Sequence, residues 1–102
     1  MDVTEQDPVT ISIHITAQPG HEDEVAAEMR TVLKRVRTEP GCRYIVGHRD
    51  PNDARRFFLF EEWRDREEFE KFRATTKYLK DYLARITPII EDLEFSYWRA
   101  FA

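Results

Sequence analysis

Few side chains in this chain of 102 residues offer chemistry to a ligand, and most of them lie in its second half. Glu61 shares a strand face with Leu59 and Trp63, because alternate residues of a strand point the same way. It is the one carboxylate to consider as a general base, with a salt bridge as its plainer role. Trp63 could wall a pocket with a flat apolar ring and give its indole N–H to one ligand oxygen; its plainer role is at the edge of the core. Tyr78 and Tyr82 stand four apart on one helix face. Buried hydroxyls need partners, and a ligand carbonyl or phenolate could serve as well as backbone or water. Phe72 shares a face with Phe69, as pocket wall or as core. The catalytic candidates are therefore Tyr82 and Glu61, and Trp63, Phe72 and Tyr78 are candidates for binding a substrate.

Other chemistries find little support. His14, His21 and His48 sit on separate elements without the spacing of metal ligands, so no metal site is expected. His14 is expected at a subunit interface or in solvent, and His21 on the surface. Cys42 follows a Pro-Gly turn with no cation placed beside it by sequence, and reads as a structural thiol. There is no Gly-rich phosphate loop, nucleophile motif or dinucleotide fingerprint, and no cofactor is expected.

The elements that must position these groups follow from hydrophobic period. Val9 to Thr16 alternates, with Val9, Ile11, Ile13 and Ile15 on one face, and predicts a strand that ends at Pro19-Gly20. Val25, Met29, Val32, Leu33 and Val36 form the apolar stripe of a helix with acidic residues in its first turn and basic ones in its last. Pro40-Gly41 stops that helix. A strand over Cys42 to Arg49 and another from Arg55 to Trp63 flank the turn Asp50-Pro51-Asn52-Asp53 and predict a hairpin. Phe57, Phe58, Leu59 and Phe60 form an unbroken apolar run, as in a strand covered on both faces. Asp65 opens a helix, with Glu68 completing a capping box. A break near Ala74-Thr75-Thr76 leads to a further helix, capped by Thr75 or Thr76 and lined by Tyr78, Leu79, Tyr82, Leu83 and Ile86. Leu93 to Phe101 alternates and predicts the last strand.

The order strand, helix, strand, strand, helix, strand predicts a ferredoxin-like βαββαβ fold of class α+β, a four-stranded antiparallel sheet with its helices on one face. The division expected is a flexible N-terminal tail over 1–8 and a single domain over 9–102. Trp98 and Phe95 must lie on opposite faces of the last strand, so its uncovered side is apolar in part, and a second copy of the chain is expected to cover it as a homodimer. Sixteen basic and 20 acidic residues are interspersed, with net charge −4, which gives no basic patch for nucleic acid. No apolar run approaches a membrane span, so no membrane association is expected, and a single cysteine suits a reducing, cytoplasmic setting.

Pro19-Gly20 after the first strand, Glu39-Pro40-Gly41-Cys42 after the first helix, and Glu61-x-Trp63 after the aromatic strand, in this order and spacing, resemble the antibiotic-biosynthesis monooxygenase family, across residues 9 to 101. The resemblance implies a dimeric α+β barrel with one pocket per subunit between sheet and helices. It also implies a cofactor-independent monooxygenase acting on a small aromatic, quinol or polyketide-like substrate. The substrate would supply the electrons for O₂ once deprotonated. Many members of the family carry histidines where this chain has Phe72 and Lys77. The Asn, Trp and His that form the site of its heme-degrading branch fall at Ile13, Phe72 and Tyr82, and none matches. Ile13 joins the substrate-binding candidates through this correspondence. The alternative is a non-catalytic ligand-binding or regulatory module on the same dimeric fold.

Overall fold

The computed structural model of the protein describes residues 7–102. β1 (Val9–Ala17) leads through a turn to α1 (Glu22–Val36), and β2 (Cys42–Arg49) and β3 (Arg56–Trp63) form the hairpin. α2 (Arg66–Thr75) and α3 (Lys77–Ile86) follow, and a short 3₁₀ turn (Thr87–Ile89) delivers the chain to β4 (Ile90–Trp98). The strands form one antiparallel sheet in the order β2-β3-β1-β4, which is the ferredoxin-like βαββαβ arrangement. Of the tail expected over 1–8, residues 1–6 lie outside the described residues.

Alternation in the strands separates two faces. Ile11, Ile15, Phe57, Leu59 and Ile45 are buried against the helices. α1 adds Val25, Met29, Val32, Leu33 and Val36, the stripe read from the sequence. At Gly47 the first helix comes so close that an added Cβ would stand 3.1 Å from a Leu33 methyl, so α1 lies directly on β2 there. Gly20 turns the chain into α1 at a φ of 85°, a conformation that costs glycine nothing.

Three local expectations need correction. The last strand runs Ile90–Trp98 rather than from Leu93 to Phe101. It begins earlier because Ala17 of β1 still pairs with Ile90 across an irregularity in the register, and Phe101 lies beyond it, almost fully exposed. The capping box at α2 is half made. The Asp65 carboxylate accepts from the Glu68 backbone N–H at 2.7 Å, but the Glu68 side chain instead binds the Arg64 guanidinium at 2.6–2.9 Å, a charged partner that outcompetes a backbone amide. Thr76 occupies the N-cap position of α3 without a side-chain bond to the helix, and the Thr75 hydroxyl donates back to the Lys71 carbonyl.

Candidate functional site

The antiparallel register stacks the helix-facing side chains of the sheet into rows. In one, Ile45, Glu61 and Ile11 lie side by side on β2, β3 and β1; in the next, Gly47, Leu59, Ile13 and Phe95 do. Leu33 of α1 sits over Gly47, and the other three residues of this row, Leu59, Ile13 and Phe95, line open space beneath the helices. A cavity of about 230 Å³ lies there. Ile13, Ile15, Leu59, Ile45 and Phe95 form its floor. Val32, Leu33 and Val36 come from α1, Phe69, Phe72 and Arg73 from α2, and Leu79, Tyr82 and Leu83 from α3. Glu61 is its one carboxylate among the described residues, and Leu93 stands at its edge, partly exposed.

Glu61 is 4% exposed. A carboxylate so placed loses its hydration, and burial pushes its pKa up to about 7 from 4.5. One bond works against that shift: the Trp63 indole N–H donates to Oε1 at 2.7 Å. The two residues lie two apart on one strand face, so the strand's own period sets this contact. The second carboxylate oxygen receives no side-chain bond from the described residues.

Tyr82 is buried, and its hydroxyl is the only strictly buried side-chain polar atom without a hydrogen-bond partner among the described residues. Such a hydroxyl costs about 1–3 kcal/mol when left unpaired. Burial, with the nearby charge of Glu28, holds its pKa above the ordinary tyrosine value. Tyr82 thus remains a protonated donor across the physiological range, and Glu61 is the group that titrates within it.

The structure brings four of the six candidates, Glu61, Tyr82, Phe72 and Ile13, onto one cavity. Trp63 and Tyr78 are not among its lining. Trp63 is 1% exposed and packs between Phe69 and Phe72, with ring centroids 5.5 and 4.7 Å away, so it supports the wall from behind and orients Glu61. The Tyr78 hydroxyl donates to Glu39 at 2.7 Å, and Arg35 lies over its ring. Arg73 was not among the sequence candidates. It joins the cavity because α2 carries it one position beyond Phe72, and an exposed arginine on a charged helix gives no sequence signal of its own. Cys42 lines none of this cavity, and burial first, then the charge of Glu61, pushes its thiol up to about 11, far from a nucleophile's range. His14 and His21 are exposed, and no cluster of three or more potential metal ligands occurs among the described residues.

A sequence model of the family described as "Antibiotic biosynthesis monooxygenase" matches residues 8–81. The chain belongs to the antibiotic biosynthesis monooxygenase family. Its fold is shared with PA3566 from Pseudomonas aeruginosa, at a TM-score of 0.84 and 27% identity over 98% of this chain and 100% of that one. Rv0793 from Mycobacterium tuberculosis superposes at 0.84 with 20% identity, over 94% of this chain and 97% of that one. SnoaB from Streptomyces nogalater, described as a cofactor-independent oxygenase and solved in a mutant form, superposes at 0.81 with 17% identity, over 92% of this chain and 93% of that one. No curated protein matches the chain by sequence. In this family member the positions that the sequence comparison singled out, Phe72 and Lys77, are a buried wall residue and an exposed lysine bound to Asp81 at 2.8 Å.

Proposed function

We propose that this family member is a cofactor-independent monooxygenase for a small aromatic substrate of the phenol, quinol or polyketide-like kind, working as a homodimer. The observation that carries the reading is that one apolar cavity is lined both by Glu61, a buried carboxylate with a pKa raised to about 7, and by Tyr82, whose buried hydroxyl has no partner. A base poised near the working pH suits proton abstraction, and a fixed donor suits the oxygen on which charge then develops. Size agrees: an apolar cavity of about 150 Å³ takes up benzene, so about 230 Å³ suits one substituted ring or two fused rings.

In this reading Glu61 removes a proton from the substrate and Tyr82 donates to the resulting phenolate or enolate. The anion passes an electron to O₂, and the two radicals combine to a carbon-bound peroxide. Loss of water from that peroxide leaves a carbonyl. A ring CH₂ and O₂ become C=O and H₂O, and the substrate is the only reductant. The described likeness of SnoaB supports a route of this kind.

Oxygen uptake with a panel of quinols and hydroxylated polycyclic aromatics tests the proposal. Consumption that falls at least about a hundredfold in Glu61→Gln is expected, the usual scale for a general base. Saturable binding of the same compounds without any uptake would make the chain a ligand-binding module instead.

A further inference from the structure

Among the described residues Arg73 is the one cation on the wall of the cavity, and nothing in the chemistry above uses it. Its side chain is half exposed, whereas Glu61 and Tyr82 are buried, so it marks the mouth and they mark the interior. Leu83 and Leu93, the most exposed of the leucines that line the cavity, stand at the same entrance. The guanidinium lies over the Phe95 ring, 4.6 Å from its centroid. A guanidinium carries five N–H donors, so one that rests over a ring can still offer donors to an anion. Its nearest carboxylate, Glu70, is 4.0 Å away, the outer limit of an ion pair. Glu70 is already engaged, accepting from the Tyr97 hydroxyl and pairing with Arg66 at 3.7 Å. The Arg73 guanidinium also bonds the Tyr97 hydroxyl, a neutral partner, so Arg73 is a positioned and weakly neutralised cation at the entrance to an apolar chamber.

We propose that the ligand of this cavity is an aromatic carboxylate: its ring fills the apolar interior, its hydroxyl or carbonyl meets Glu61 and Tyr82, and its carboxylate is held at the mouth by Arg73. The inference rests on the cavity being the ligand site, as proposed above, and adds the acid group and the residue that selects it. Arg73 is a specificity residue here, remote from the reacting end.

The test compares para-hydroxycinnamate with its methyl ester, which keeps ring, chain and phenol but carries no charge, by calorimetric titration of the full chain near neutral pH. Wild-type protein is expected to bind the acid about tenfold more tightly than the ester, the scale of one charge-assisted pair. Arg73→Gln should weaken the acid by about the same factor and change the ester less than about twofold. Equal binding of acid and ester by the wild type, or equal weakening of both in Arg73→Gln, overturns the proposal while leaving the cavity as a ligand site. Failure of both compounds to bind overturns the cavity reading together with it.

Discussion

The two faces of the sheet are built from the same strands yet differ in how far the chain completes them. The helical face is covered by α1, α2 and α3, and Glu61, the one carboxylate among the described residues that line its cavity, is almost fully buried. The opposite face is aromatic, and among the described residues no helix covers it. Tyr44, Phe60, Phe58 and the rings of His14 and His48 run across it with neighbouring centroids 4.7–6.1 Å apart. Trp98 is 56% exposed there, its indole N–H donating to the Ser12 hydroxyl at 2.6 Å. No helix of the described residues is long and apolar enough to cross a membrane. A band of rings on a four-stranded sheet is the kind of patch that marks an association surface. The lesson is one of division: one face is finished within the chain and keeps an apolar cavity, and the other, in our proposal, is finished by a second copy.

The strongest way to break this comparison acts on the bare face. Phe60→Glu would put a charge into a symmetric contact twice, once from each copy. The dimer dissociation constant is expected to rise about a thousandfold, with the monomer still folded, as read by analytical ultracentrifugation and circular dichroism. A variant that sediments like the wild type would show that this face is not the contact.

The next test acts on the finished face. The folded-state pKa of Glu61 lies above its unfolded value, so the folded protein holds the proton more strongly. The burial cost is absent below about pH 4.5, grows as pH rises towards about 7, and is constant above that. Relative to Glu61→Gln, the wild type should lose about 3 kcal/mol of stability across that window, measured by urea unfolding at a series of pH values. A difference that does not vary with pH would mean that Glu61 ionises as freely as a surface carboxylate.

Smaller effects sharpen the picture. Tyr82→Phe removes a hydroxyl without a partner and should leave stability unchanged or raise it by up to about 1 kcal/mol, while ligand affinity falls about tenfold. Loss of stability would reveal a partner for that hydroxyl within the protein. Trp63→Phe removes the N–H that favours the charged form of Glu61, so the acidic limb of the activity profile should move to higher pH, by about one unit. An unmoved limb would mean that another group sets it.

Much of this was legible in the chain itself. Period two and period 3.6 are local properties, and they gave the strand and helix order, the α1 stripe and the shared face of Leu59, Glu61 and Trp63. Candidate site residues were legible to the extent that they are aromatic or carboxylate on a core-facing position, which is why Glu61, Phe72 and Tyr82 were named and Arg73 was not. Trp63 and Tyr78 show the limit of that reading, since position on an element does not say which neighbour a side chain meets.

The sequence by itself determined the elements, their order and the two-sided character of the sheet, because backbone period depends on near neighbours in the chain. Only the tertiary structure decided that Glu61 is dehydrated enough to hold its proton near neutrality, that the Tyr82 hydroxyl goes without a partner, and that Arg73 stands at the entrance of the same cavity. Those are properties of enclosure. They arise where residues distant in sequence, from β1 to β4, come together and exclude water, and solvation of that kind has no local signature.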